Sequence, residues 1–341
     1  MTEKLAVAVL GATGAVGGEF IRIFEQREFP IGKLKLLASA RSAGKEVTFK
    51  GEKVVVEQVS PEAFQGVDIA FFSAGATRSR EFAPHALNAG AVVVDNSSAF
   101  RMDPNVPLVV PEVNPESVPA DKNLIANPNC CAAILTLSLA PLKNLGTIKR
   151  LIVSTYQSAS GAGAAAMQEL ERQTKDVLEG KTPEPKVMPH VYAFNLFSHN
   201  TPIDEQGQNE EEAKVIEEAR KILGLPDLGV NVTCIRVPVL RAHSLSVTAE
   251  FEGPAPDEET VRRAINDFPG LELLDNREKN FFPMPLDASL KDDVLVGRIR
   301  RDPSNPNALV YFAAGDQLLK GAALNAVQIG EQLIKQGRFS D

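Results

Sequence analysis

Asn127-Pro128-Asn129-Cys130-Cys131 runs directly into the apolar stretch Ala132-Ala133-Ile134-Leu135-Thr136-Leu137. Pro128 holds the residue before it in extended geometry, so the chain arrives as a strand or turn. Asn129 is a good N-cap, which places Cys130 in the first turn of a helix. There, unpaired backbone N–H groups and the positive end of the helix dipole favour a thiolate over a thiol. A cysteine so placed is a nucleophile near neutral pH. The other reading is two buried cysteines filling space where a helix meets a strand. These residues alone leave both open.

A second group bears on that choice. Gly11-Ala12-Thr13-Gly14-Ala15-Val16-Gly17 follows a predicted strand and opens a helix. Glycines there let the backbone turn tightly and approach a pyrophosphate, and the helix N-terminus supplies N–H donors. An NAD site ends its second strand with an acid for the ribose hydroxyl. Here that strand ends Ala38-Ser39-Ala40-Arg41-Ser42-Ala43-Gly44-Lys45. Ser39, Arg41 and Ser42, with Lys45 behind them, suit a 2′-phosphate, and the cofactor expected is NADP. A nucleophilic cysteine beside a nicotinamide implies aldehyde chemistry. Thiolate adds to an aldehyde, hydride leaves to the cofactor, and an acceptor attacks the resulting thioester.

That chemistry needs a proton carrier and substrate anchors. Among four histidines, His243 stands at the turn between two strands of alternating pattern, a good place for a rigidly held catalytic group. Arg236 lies in an otherwise apolar segment, where its planar fork suits a carboxylate or a buried ion pair. Arg101, on a loop after a strand, is placed to meet a phosphate; the alternative is an ordinary surface arginine.

Elements must hold these groups. Leu5–Leu10 reads as a buried parallel strand and residues 14–27 as its helix. Residues 34–38, 67–73 and 91–95 read as further strands, with a helix around 80–89. Apolar strands alternating with helices predict a doubly wound α/β sheet. After the cysteine helix come a strand over 147–157 and helices over Ala164–Leu178 and Glu210–Leu223. Residues 230–240 and 244–251 then alternate as in an antiparallel sheet. Residues 183–202, rich in Pro and Asn, read as a loop packed against a partner subunit. Residues 308–313 close the sheet, and a last helix spans about 318–336.

Composition narrows the class. The chain has 341 residues, 44% of them hydrophobic, enough for two cored domains. Acidic residues outnumber basic ones 44 to 36, and no basic run is dense enough to track nucleic acid. Three cysteines form no disulfide framework, and adjacent Cys130 and Cys131 lack metal-ligand spacing, so no metal is expected. No stretch approaches the roughly 18 apolar residues of a membrane span. A reducing, cytoplasmic location follows as the expectation.

Taken in order, residues 11–17, 95–101, 127–130, 156–163, 236–243 and 315–317 resemble the aspartate-β-semialdehyde dehydrogenase family over essentially the whole chain. The resemblance implies a Rossmann-type domain of residues 1–129, completed by a C-terminal helix in 318–341. It implies a catalytic and dimerisation domain of residues 130–317, in a glyceraldehyde-3-phosphate dehydrogenase-like arrangement. Cys130 would be the acyl-accepting nucleophile, His243 the acid/base, and Gln157 would orient the acyl group or the histidine. Arg236 would bind the substrate carboxylate and Glu211 its amino group; Arg101 and Lys214 would hold phosphate. Gly11, Thr13, Gly14, Ala15, Val16, Arg41, Ser42, Ser160, Gly161 and Gln317 would contact NADP. The implied activity is NADPH-dependent, reversible reduction of aspartyl-4-phosphate in lysine/diaminopimelate, threonine, methionine and isoleucine biosynthesis, by a homodimer. Two alternatives stand beside it: an N-acetyl-glutamyl-phosphate reductase, and a non-enzymatic NADPH-binding redox sensor.

Overall fold

The computed structural model describes residues 4–118 and 122–339; the ends of the expected 1–129 and 318–341 segments, residues 1–3 and 340–341, lie outside the described residues. The chain forms two compact units, one of Met1–Asn129 with Ala322–Asp341 and one of Cys130–Gly321.

The first unit opens β1 (Leu5–Leu10), α1 (Ala15–Gln26), β2 (Ile31–Ala38), β3 (Glu46–Phe49) and β4 (Glu52–Gln58). It continues β5 (Ile69–Phe72), α2 (Ala76–Asn88), β6 (Val92–Asp95) and β7 (Leu124–Ala126). The sheet order is β3-β4-β2-β1-β5-β6-β7, with every neighbouring pair parallel except β3 and β4. Strands β5 and β6 are buried at every position, as a sheet covered on both faces requires. Phe20 and Phe24 of α1 pack with Phe29 and Phe71, ring centroids 5.2–6.0 Å apart. Burying each such ring stabilises the layer by roughly 1.5–3 kcal/mol. The hairpin β3–β4 escapes hydrophobic patterning because most of its residues are exposed. Its turn, Lys50-Gly51, takes positive φ at both residues (50° and 81°), the geometry that lets a two-residue loop follow strand twist.

The second unit begins at α3 (Cys130–Lys143), β8 (Ile148–Gln157), α4 (Ala164–Leu178), β9 (Phe197–Ser198), α5 (Glu210–Leu223) and β10 (Gly229–Arg236). It ends β11 (His243–Phe251), α6 (Glu258–Asn266), β12 (Leu271–Leu273), α7 (Pro285–Ala288), β13 (Val294–Asp302) and β14 (Asn305–Gly315). Its sheet order is β12-β13-β14-β11-β8-β10-β9. The strands flanking His243 therefore differ from the simple antiparallel expectation. β8 lies between them, antiparallel to β11 but parallel to β10. Residues 237–242 arch over the end of β8, and β10 stops at Arg236, before Pro238, which has no N–H for a ladder. β14 is interior to the sheet rather than closing it, and the loop expected over 183–202 contributes the short edge strand β9.

Helix α3 is buried from Cys131 to Leu142 and apolar all round, so it serves as the core of this unit. Its few polar groups are satisfied internally: the hydroxyls of Thr136 and Ser138 donate to Ala132 and Leu135 carbonyls. A π-helical turn (Leu319–Ala323) leads into α8 (Leu324–Lys335), so the last helix begins later than the sequence pattern predicts. In the first unit, Glu331 of α8 accepts two bonds from Arg27, and Asn325 donates to Val109 O and Asn127 Oδ1.

Candidate active site

In the first unit, a cavity of about 350 Å³ opens at the carboxyl ends of β1, β2 and β5. Gly11, Thr13, Gly14, Arg41 and Ser42 line it, with Ser39 beside them and Arg78 of α2, which sequence reasoning missed. No carboxylate lines it. Gly11 has φ +92°, and a Cβ there would lie 2.4 Å from Ser73 O, so only glycine fits. The N-terminus of α1, where Ala15 and Val16 sit, has no capping side chain and no acid in its first turn. Its N–H groups are thus left for an anion. These residues fit a dinucleotide carrying a 2′-phosphate.

Arg101 also belongs to the first unit. Its guanidinium donates to the carbonyls of Asn127 and Asn96, at 2.9 and 2.7 Å. Asp95 anchors the same loop by accepting from Ser79, Ser97 Oγ and Ser97 N–H.

In the second unit, the carboxyl ends of β8 and β10 and the start of β11 meet at one edge of the sheet. Gln157 pairs in register with Arg236, and Tyr156 with Ser244, next to His243. The first residue of α3, Cys130, is half-buried, while Cys131 is fully buried. The two Sγ atoms and a ring nitrogen of His243 lie within 4.8 Å of one another, a cluster that no spacing in the sequence announces. A hydrogen bond from the Cys131 thiol holds Cys130 well below the ordinary thiol range, and the His243 imidazole adds to this against the effect of burial. The same bond pushes Cys131 well above that range. Cys234, buried within β10, is pushed up by burial and is a packing thiol.

A test of this pairing follows. Cys131→Ala removes the donor, so the pH midpoint for alkylation of Cys130 by iodoacetamide should rise toward the free-thiol value of about 8.5. Cys131→Ser keeps a donor and should stay near the parent. An unchanged midpoint in the alanine variant would refute the bond's role.

Helix α5 fixes which of three consecutive glutamates faces the site. Asn209 caps the helix, accepting from Glu212 N–H while Glu212 accepts from Asn209 N–H. Such a cap contributes about 1 kcal/mol and sets the register. Glu210 then pairs with Lys214 (2.7 Å) near the surface, and Glu212 also takes the N–H of Cys234. Glu211 is left facing inward, buried, accepting from Gln157 Nε2 at 3.0 Å.

Arg236 is 3% exposed. It donates to Ser158 O (2.9 Å), and its Nη2 lies 2.8 Å from Nε2 of His199. Burial lowers His199 to about 4, so its ring is neutral and accepts from the arginine. Arg236 Nε is buried with no partner, a donor left for a bound anion. His199 is another residue the sequence did not single out, since it lies in the Pro-rich segment.

Ser160 and Gln317 lie buried in the second unit, the amide of Gln317 donating to the Ser160 hydroxyl. Gly161 faces the catalytic groups: a Cβ there would stand 2.8 Å from His243 Cε1 and Nε2. Gly321 packs likewise against Cys130, where a Cβ would come within 2.8 Å of the cysteine's own.

Comparison with known proteins agrees with this geometry. Residues 6–120 match the model of the semialdehyde dehydrogenase NAD binding domain, and residues 139–320 that of the semialdehyde dehydrogenase dimerisation domain. The chain is 52% identical to an aspartate-semialdehyde dehydrogenase of Synechocystis over 337 residues, 99% of each chain. Among solved structures it is similar to aspartate semialdehyde dehydrogenase II of Vibrio cholerae complexed with ASA, with TM-score 0.94, 41% identity and coverage of 98% and 99%. It is also similar to the enzyme of Candida albicans solved with NADP, with TM-score 0.78, 25% identity and coverage of 99% and 100%. With both domain models matched and 52% identity to a relative over nearly the full length, the chain belongs to the aspartate-semialdehyde dehydrogenase family.

Proposed function

We propose that this chain reduces L-aspartyl-4-phosphate to L-aspartate 4-semialdehyde and phosphate, reversibly, with NADPH. The observation carrying this reading is the Cys130 thiol, lowered by Cys131 and His243 at the start of a buried helix. The Cys130 thiolate attacks the acyl phosphate, forming a thioester as the phosphate leaves. Backbone N–H groups of the first turn of α3 stabilise the developing oxyanion. Gly11, Thr13, Gly14, Arg41 and Ser42 would hold NADPH, which would supply the hydride that turns the thioester into a thiohemiacetal. His243 then protonates the sulfur as the thiohemiacetal collapses to the aldehyde.

Substrate orientation falls to Arg236 and Glu211. The spare Nε donor of Arg236 suits the α-carboxylate, and the buried Glu211 carboxylate suits the α-ammonium. Gln157, held by Glu211, orients the acyl group. Arg101 and Lys214, each in its own unit, are candidate phosphate ligands. Arg41, Ser42 and Ser39, in a cavity free of carboxylates, favour NADP over NAD. A homodimer fits the exposed apolar Ile152 and Tyr156 on one face of β8, each 38% exposed, with Leu196 of the Pro-rich segment and the nearby Ile203 also exposed. Among the described residues no helix is long and apolar enough to cross a membrane.

The test is NADPH formation from aspartate semialdehyde, NADP and phosphate, each omitted in turn, with NAD and the N-acetyl five-carbon semialdehyde as substitutes. Full dependence on all three, with poor use of both substitutes, is expected. Turnover that ignores phosphate, or that prefers the N-acetylated aldehyde, would refute the assignment.

A further inference from the structure

We propose that Ser158 is a positioning residue whose hydroxyl ends a buried hydrogen-bond relay that fixes the ring proton of His243 on Nε2. This goes beyond the acid/base role of His243 and rests on it. The relay starts at Ala242, whose N–H donates to Gln317 Oε1 at 2.9 Å. A backbone N–H can only donate, so the Gln317 oxygen points there and its NH₂ faces Ser160 Oγ. Ser160 Oγ lies 3.0 Å from Ser158 Oγ, which lies 3.0 Å from His243 Nδ1. Having accepted from Gln317, Ser160 donates onward to Ser158, and Ser158 donates to Nδ1. The backbone N–H of Ser158 points at the same nitrogen, also at 3.0 Å. All of these side chains are 2% exposed or less.

Two donors therefore converge on Nδ1. The neutral ring must carry its proton on Nε2, the nitrogen that has no hydrogen-bond partner of its own and is left to serve the thiols. That proton can support the Cys130 thiolate without an imidazolium. When the ring is doubly protonated, Nδ1 becomes a donor. The backbone N–H cannot accept it; the Ser158 hydroxyl can, by rotating. Ser158 thus serves both protonation states, whereas an alanine leaves the imidazolium facing only a donor.

Other charged groups act on the ring but stand on its other sides. Cys130 and Cys131 face it from α3, Arg236 approaches it beside Gly161 from the end of β10, and His199 acts on it from the Pro-rich segment, while Glu211 and Lys214 of α5 act on Cys130 and His199. The Arg241–Asp316 ion pair flanks Ala242 and Gln317. None of these contacts Nδ1.

The test uses the full-length enzyme labelled with ¹⁵N-histidine, in which only four histidines report. In the parent, His243 should show the Nε2–H tautomer. In Ser158→Ala, its protonation midpoint should fall by about one pH unit, a tenfold shift. The acid limb of kcat should move with it, and Ser158→Thr should restore both. A parent Nδ1–H tautomer, or an alanine variant that melts normally and titrates as the parent does, overturns the relay. A moved midpoint with an unmoved kcat profile upholds the relay and overturns the role of His243 as proton donor.

Discussion

Replacing Cys130 by alanine is expected to lower kcat by on the order of 10⁴–10⁶-fold, the loss typical of deleting a covalent nucleophile. The variant should remain folded. Alanine is the best helix former, Cys130 is only half-buried, and the close contact with Gly321 is made at Cβ, which alanine keeps. Binding of NADP should persist as well, because the cavity proposed for it is lined by residues of the other unit, among them Gly11, Thr13, Gly14, Arg41 and Ser42. The result is therefore specific: unchanged melting, unchanged NADP titration, no turnover. Cys130→Ser tests the same point more strictly, since a hydroxyl lies far above any pH at which the Cys131 and His243 neighbours could ionise it. Residual activity within tenfold of the parent in either variant would move the chemistry to another group.

How much of this could be read from the chain depends on distance along it. The Gly11–Gly17 turn, the acid-free end of β2 and the placing of Cys130 at a helix start involve neighbours in sequence, where proline and glycine geometry act locally. The order of β10, β8 and β11 is a choice among long-range pairings, and alternation of side chains is the same in a parallel or an antiparallel neighbour. Contacts between single residues of the site are the least legible. Glu210, Glu211 and Glu212 look alike in sequence, and only the Asn209 cap separates surface, site and cap. Ser158 and His243 are 85 residues apart, and His199 and Arg236 are 37 apart. No motif spacing reports such encounters. The hairpin β3–β4 was missed for another reason: an edge hairpin buries too little to leave an apolar pattern.

Gly161→Ala is expected to cost about 10²-fold in kcat, together with about 1–3 kcal/mol of stability from the overpacked methyl. The glycine lies in a 3₁₀ turn (Ala159–Ala162) and is not among the residues of positive φ, so its backbone accepts alanine without strain. What the new methyl meets is the site itself. It would lie 2.8 Å from His243 Cε1 and Nε2, closer than real Cβ contacts come, and 3.0 Å from Arg236 Nη1, a tight contact. Neither neighbour can retreat freely. His243 is held at Nδ1 by Ser158, and Arg236 by Ser158 O and His199. A shift of about 1 Å in a positioned catalytic group is enough for a loss of that size. Because the methyl presses on both the proton carrier and the carboxylate anchor, KM for aspartate semialdehyde should rise together with the fall in kcat. A change confined to KM for NADP would instead make Gly161 a cofactor contact alone, and activity within about threefold of the parent would mean that His243 and Arg236 are held less firmly than their hydrogen bonds imply.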